Sequence, residues 1–138
     1  MDSTRATLEQ LRARHAWSVI SDVRGSKCDK DFAREVRRLP VRIRTAGLGQ
    51  ALRFIYAKSD GKDHRSQLLT VLGEWVLSKR RIARRPHATT SNSALLRAII
   101  DNDADTLRRA TEEVLLYLQW LSRFCEAEIK VELTDDDG

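Results

Sequence analysis

Three histidines and two cysteines are the side chains of this sequence best suited to nucleophilic or metal chemistry. His15, His64 and His87 fall on separate segments, and none has a Cys, Asp or Glu partner at the spacing of metal ligands. Cys28 and Cys125 are far apart and also lack companions at such a spacing. We therefore expect no bound metal, and two free thiols in a reducing cytoplasm.

Two short motifs have only part of a ligand-binding pattern. Gly47-x-Gly49 lacks the preceding strand and the following Lys-Ser/Thr of a phosphate-binding loop. The aspartates of residues 101–105 alternate as in a calcium loop, but Thr106 takes the place of the glycine that such a loop requires. We interpret these aspartates as caps at the start of a helix.

The acidic pair Glu112-Glu113 is the remaining candidate for acid–base chemistry. It lies within a strongly periodic helical stretch, and we expect it to occupy a solvated helix face. No set of nucleophile, base and oxyanion stabiliser can be assembled from these residues. The sequence therefore predicts no catalytic residues and no cofactor.

Two clusters of basic residues are the strongest functional signal. Five cations within seven residues, as in the second cluster, repel one another unless an anion neutralises them. Arginine outnumbers lysine by 19 to 6, which favours bidentate recognition of phosphate. Genomic composition would give the same excess, and a solvated basic face is the alternative. The first cluster consists of Arg34, Arg37, Arg38, Arg42 and Arg44, and the second of Lys79, Arg80, Arg81, Arg84 and Arg85. The residues predicted to bind nucleic acid are Arg38, Arg42, Arg44, Lys79, Arg80, Arg81, Arg84 and Arg85.

The tryptophans do not interleave with these clusters. Trp17, Trp75 and Trp120 all lie on apolar faces of predicted helices, so we expect them in the core. Binding would then depend on the phosphate backbone and on shape, without stacking on bases.

Length and charge place the chain among small globular proteins with an anionic or self-associating partner. The 138 residues suit one domain, with 41% hydrophobic and 33% charged residues. Net charge is +12 over residues 1–100 and −7 over residues 101–138. This asymmetry indicates a polyanion, an acidic protein or head-to-tail self-association. No apolar run approaches the ~20 residues of a membrane span, and no secretory signal is visible, so we expect a cytoplasmic protein without membrane contact.

Helical periodicity runs through most of the chain and predicts the elements that position these residues. The predicted fold is all-α, a single compact helical bundle of about five to six helices with a kink around Pro40 and Gly47. We expect the domain to span residues 1–133, followed by an acidic, disordered tail over 134–138. The predicted helices cover residues 4–23, 29–39, 41–58, 67–82, 93–100 and 104–128, the first capped by Asp2-Ser3-Thr4.

Two stretches carry a family resemblance. They are RRLPVRIRTAGLGQALRFIYAK, Arg37 to Lys58, and LRRATEEVLLYLQWLSRFCEAE, Leu107 to Glu128. Together they resemble the small helical subunit of the type III-B CRISPR Cmr effector complex, the fifth Cmr subunit. The shared features are Leu-Pro followed by Ile-x-x-x-Gly-Leu-x-x-Ala-Leu, Ala-Thr-Glu near the start of the last helix, and Trp-Leu-x-Arg-Phe near its end.

The resemblance implies a non-catalytic assembly subunit in antiviral defence. Members of the family form helical bundles, and several copies stack as a minor filament beside the larger backbone subunits. The implied partners are the other Cmr subunits, further copies of the chain itself, guide RNA and target RNA. Cleavage would belong to other subunits.

Three other functions stay open at this point. A stand-alone helical nucleic-acid-binding or regulatory protein would have the same charge and would bind DNA by itself. A helical adaptor for an acidic protein would need no nucleic acid. An enzyme has the least support in the sequence.

Overall fold

The structure is a computed structural model and describes residues 5–83 and 91–130. Six α-helices follow one another in these ranges: α1 (Leu8–Val23), α2 (Asp29–Ala46), α3 (Leu48–Lys58), α4 (His64–Gly73), α5 (Ala94–Asp101) and α6 (Ala104–Glu128). Helix α4 continues directly into a π-helical segment, Glu74–Lys79. No strand occurs in either described range, which confirms the predicted all-α fold. The predicted acidic tail, 134–138, lies outside the described residues.

Side-chain caps determine where three of the helices begin. Thr7 caps α1 in a capping box, because its hydroxyl accepts from the Gln10 amide while the Gln10 side chain accepts from the Thr7 amide. Asp63 is the N-cap of α4, where its carboxylate accepts from the Ser66 amide. Asp103 is the N-cap of α6 and accepts from the Thr106 amide. Asp103 therefore acts as the helix cap predicted for the acidic run. The caps predicted at residues 2–4 lie outside the described residues, and α1 begins instead after Thr7.

The helix boundary predicted at Pro40 lies at Gly47 instead. Helix α2 runs through Pro40 without restarting. Gly47 has a φ of +89°, which a residue with a side chain rarely adopts, and α3 begins at the next residue. Leu39 and Ile43 are buried on either side of Pro40. Their packing offsets the one backbone hydrogen bond that proline cannot donate.

Helix α6 is the central element of the core. It packs along α1 and α2 and also contacts α5 and the π-helical segment. Its buried apolar residues keep the predicted helical spacing of three or four positions, with Tyr117 and Leu118 adjacent: Ala110, Val114, Tyr117, Leu118, Leu121 and Cys125. Leu107, which we also predicted on this stripe, is exposed. Each large apolar side chain buried in this way stabilises the fold by about 1.5–3 kcal/mol. Within the described ranges, none of the helices is both long enough and apolar enough to cross a bilayer.

The three tryptophans do not share the core environment that we predicted for them. Trp75 is buried, but Trp17 is 42% exposed and Trp120 is only partly buried. Trp17 lies at the outer edge of the α1–α6 contact, where its ring meets Phe124 edge-on at 5.2 Å between centroids. The prediction was wrong for Trp17, because helical spacing does not show how far the partner helix covers an apolar stripe.

Candidate nucleic-acid interface

The predicted RNA-binding residues lie at two places in the described structure. Arg38, Arg42 and Arg44 are on α2, whereas Lys79 ends the π-helical segment and Arg80 and Arg81 follow it. Arg84 and Arg85 lie outside the described residues. The structure therefore separates the two clusters onto different elements.

The α2 arginines divide between two sides of the helix. Successive residues turn by about 100°, so Arg42 and Arg44 point in nearly opposite directions. Arg42 faces α3, where it lies over Phe54, whereas Arg44 lines a surface cleft with Pro40 and residues of α6 that include Arg123. Arg38 lies one turn before Arg42, on its side of the helix. Only Arg38 and Arg42 can therefore act on the same stretch of a ligand.

Arg42 is held by a buried carboxylate and an aromatic ring. Its Nη1 lies 3.5 Å from Glu35 Oε2, and its Cζ lies 4.3 Å from the centroid of Phe54. Glu35 is buried, and Arg65 Nε approaches its other oxygen at 4.0 Å. The Glu35–Arg42 contact is an ion pair without a hydrogen bond. Arg42 is thus positioned before any ligand arrives, and part of its charge is already offset.

Arg80 belongs to a buried ion-pair network and is not an open binding residue. Its Nε donates to Glu113 Oε1 at 2.9 Å. Arg12 donates to both Glu113 oxygens at 2.6 and 2.9 Å, and Trp75 Nε1 donates at 2.8 Å. Glu113 is 3% exposed, so its predicted place on a solvated face is wrong. The signal was available, because Glu113 lies three residues after Ala110 and four before Tyr117, on the buried stripe of α6.

Charge balance in this network follows from its hydrogen bonds. Burial alone would raise the pKa of Glu113, but the hydrogen bonds from Arg12, Trp75 and Arg80 outweigh it and hold the pKa below its usual value. The hydrogen bond to Glu113 likewise raises the pKa of Arg12 against the effect of burial. The carboxylate and the guanidinium therefore stay charged in the folded protein. Together they join α1, α6 and the π-helical segment.

A second polar contact anchors the π-helical segment. His15 Nδ1 lies 2.6 Å from the Tyr117 hydroxyl, and Nε2 lies 2.8 Å from Glu74 Oε1. The imidazole also packs against the rings of Trp75 and Tyr117. Burial, followed by the charge of Glu74, raises the pKa of Tyr117 well above its usual value. His15 therefore links α1 to α6 and to the π-helical segment, a role that its isolated place in the sequence did not indicate.

The chain alternates between inward and outward residues as it leaves the π-helical segment. Arg80 and Ile82 turn inward, and the Ile82 amide donates to the Val76 carbonyl at 3.1 Å. Lys79 and Arg81 are exposed. Arg81 has a φ of +52°, an uncommon conformation for a residue with a side chain. The second cluster thus presents two cations to solvent within the described ranges.

The comparisons with known proteins agree on one family. Residues 8–128 match the family model described as CRISPR-associated protein (Cas_Cmr5). The fold is similar to that of a CRISPR-associated Cmr5 family protein from Thermus thermophilus, with a TM-score of 0.75 and 23% identity over 91% of this chain and 100% of that one. The family match covers all six helices and both stretches that carried the resemblance. The chain therefore belongs to the Cmr5 family and is a small subunit of the type III-B Cmr complex, associated with the other subunits of that complex.

Proposed function

We propose that this chain is a non-catalytic subunit whose copies stack into a minor filament that lines the groove for guide RNA and target RNA. It acts in the cytoplasm, in antiviral defence, beside the larger backbone subunit. The observation that carries this proposal is the charge distribution. Residues 1–100 have a net charge of +12, and residues 101–138 have −7. A chain with this asymmetry can contact RNA with one part and a neighbouring subunit with another.

Stacking in one direction is supported by the opposite net charges of the two parts of the chain, +12 over residues 1–100 and −7 over residues 101–138. A head-to-tail contact brings the acidic part of one copy to the basic part of the next, whereas a two-fold contact of either part with itself would oppose like charges. A head-to-tail contact that does not close into a ring generates a filament.

RNA binding by a filament suits the small number of predicted RNA-binding cations that are open in the described part of each copy. Arg44, Lys79 and Arg81 are exposed, and Arg42 is only partly open. A few neutralised phosphates give weak, salt-dependent binding. Several copies held along one strand raise the effective concentration of sites, so affinity appears in the assembly.

A structural role is also supported by how the polar side chains of the core are used. The carboxylate of Glu113 accepts four hydrogen bonds from three residues, Arg12, Trp75 and Arg80. His15 bridges Tyr117 and Glu74. Burial raises the pKa of Cys125 to about 12, which keeps the thiol protonated and unreactive. Glu113 and His15 therefore join helices, and these contacts occupy their polar atoms.

The test compares two charge-reversal variants in the reconstituted Cmr complex. The first replaces the α2 arginines Arg38 and Arg44 with glutamate, and the second replaces the exposed cations Lys79 and Arg81. Arg42 and Arg80 are left intact because each pairs with a buried carboxylate, Glu35 and Glu113 respectively. We expect weaker retention of target RNA and a smaller dependence of log Kd on log salt, by about 0.7 for each phosphate that the variant no longer neutralises. Circular dichroism checks that the fold is unchanged.

Arg97→Glu is the matched control, because Arg97 is an exposed cation on α5 outside both clusters. It should leave RNA retention and the salt dependence unchanged. If both cluster variants retain RNA as the wild type does, the positive charge serves assembly or solubility, and the proposed RNA contact is wrong. If the isolated chain already binds DNA with full affinity, it is a stand-alone nucleic-acid-binding protein.

A further inference from the structure

Phe54 is an exposed aromatic residue that the core does not require. It is 40% exposed on α3, whereas Leu48, Leu52 and Ile55 of the same helix are buried and hold α3 in place. Phe54 lies two residues after Leu52 and one before Ile55, so helical spacing does not place it squarely on the buried face. Tertiary structure places it beside the arginines of α2, which the sequence did not indicate.

Two cations lie against the Phe54 ring. Arg42 Cζ is 4.3 Å from the ring centroid, and Lys58 Nζ is 4.6 Å from it. Lys58 comes from the next turn of α3 and is exposed, whereas Arg42 crosses from α2 and is fixed by Glu35. The ring therefore has one rigid cationic neighbour and one that solvent can reach.

An exposed aromatic ring with cations over it has the groups that bind an unpaired nucleotide. Its base stacks on a ring or on a guanidinium plane, and its phosphate pairs with a nearby ammonium. Local charge also favours a polyanion. Arg42 and Arg65 both approach the buried carboxylate of Glu35, and Arg65 also pairs with Asp63 at 3.3 Å. Lys58 over the ring then leaves a positive excess of one charge.

We propose that Phe54 stacks an unpaired RNA base, which takes the place of the Lys58 ammonium over the ring, while Arg42 stays over the ring and Lys58 moves onto the adjoining phosphate. The inference rests on the proposed function, because it assumes that RNA reaches this side of α2. The inference extends the proposed function by adding a contact with a base to a surface that otherwise contacts only phosphates. The contact is sequence-tolerant, since every base has a flat face that can stack, and it requires a single strand, since paired bases are covered by their neighbours.

The experiment uses the full chain and a single-stranded RNA of roughly ten nucleotides that carries 2-aminopurine, whose fluorescence is quenched when the base stacks. Phe54→Leu removes the ring and keeps an apolar side chain. We expect it to weaken binding at least about fivefold, the lower end of what a stacked base contributes, to reduce the quenching, and to leave the salt dependence unchanged. An abasic site in place of the probe should weaken wild-type binding similarly and have no further effect on Phe54→Leu.

Tyr56→Leu is the matched control, because Tyr56 is 41% exposed on the same helix two residues away. It should bind and quench as the wild type does. Equal affinity and quenching for Phe54→Leu and the wild type would overturn the stacking inference, while a persistent salt dependence would leave the proposed function intact. Loss of a neighbouring Cmr subunit from Phe54→Leu with unchanged RNA binding would also overturn it and would assign the ring to a protein contact. Absence of salt-dependent RNA binding by both the wild-type chain and the complex would refute the proposed function itself.

Discussion

The buried network around Glu113 gives the sharpest prediction about stability. Glu113 accepts four hydrogen bonds from Arg12, Trp75 and Arg80. Glu113→Gln removes the charge and keeps the shape of the side chain. Arg12 is 7% exposed and would then be a buried cation without its main partner. We expect the variant to be much less stable than the wild type, with the helices otherwise intact.

The magnitude follows from the burial of the partners. Removing one member of a buried ion pair costs about 3–5 kcal/mol, because the other member is left unpaired away from water. Arg12 keeps a longer contact with Glu9, at 3.5 Å, and the Arg80 side chain is 30% exposed and can regain water, so the loss should lie at the lower end of this range. We therefore expect a loss of about 3 kcal/mol, measured as a lower midpoint of urea denaturation, and a melting temperature lower by about 10 °C or more.

Acid should remove the same stabilisation in the wild type. The pKa of folded Glu113 is below its ordinary value of 4.5, so its contribution is fully present above that pH and disappears as pH falls through the lower, folded-state pKa. Glu113→Gln has no such group. The difference in unfolding free energy between the two proteins should therefore be largest near neutral pH and should shrink below about pH 4.

Glu112→Gln provides the neighbouring control. The Glu112 side chain is 64% exposed and pairs with Arg108 at 3.4 Å, so its loss should change stability by less than about 0.5 kcal/mol. Equal denaturation midpoints for Glu113→Gln and Glu112→Gln would refute the assignment of a buried, stabilising network. A second check is the double variant Arg12→Leu with Glu113→Leu, which should be more stable than Glu113→Leu alone because it leaves no unpaired charge at Arg12.

Three further predictions concern other parts of the molecule. Trp120→Ala should lower the free energy of unfolding by about 2 kcal/mol, as measured by thermal denaturation. This is less than the roughly 3–5 kcal/mol typical of a buried tryptophan, because Trp120 is partly exposed and donates to the exposed Glu9. A loss above about 4 kcal/mol would show that it is a core residue. In the native chain at pH 8, a thiol reagent should label the partly buried Cys28 before Cys125, whose pKa of about 12 and burial protect it; equal labelling rates by mass spectrometry would contradict this order. Arg81→Gly should raise stability by up to about 1 kcal/mol by relieving the positive φ, and an unchanged or lower denaturation midpoint would show that the conformation costs nothing there.

Local patterns in the sequence were sufficient for the fold class and for most helix positions. The three- and four-residue steps of α6 predicted its bounds and its buried apolar stripe, and Asp103 marked its start. The predicted kink at Gly47 is the junction between α2 and α3, since only a residue without a side chain readily takes its φ. The helix boundary predicted at Pro40 is wrong, because the local cost of proline is outweighed by the burial of Leu39 and Ile43, a tertiary effect.

The candidate site depended more on contacts between distant residues. Residue types and spacing identified the basic clusters, and the family resemblance identified the complex, which the comparison confirmed. Spacing did not separate Arg80, which bonds Glu113 across 33 positions, from Arg81, which is exposed. It also did not bring Phe54 to Arg42, or show that Trp17 stays at the surface.

The sequence by itself determined the helices, their order and the excess of positive charge, because these follow from interactions between residues close in the chain and from composition. Only the tertiary structure decided which charged side chains pair with one another and which remain for a partner. A charge is stabilised or exposed according to the groups that packing brings within about 4 Å. For Glu113, those groups come from α1, from the π-helical segment and from Arg80 just after it.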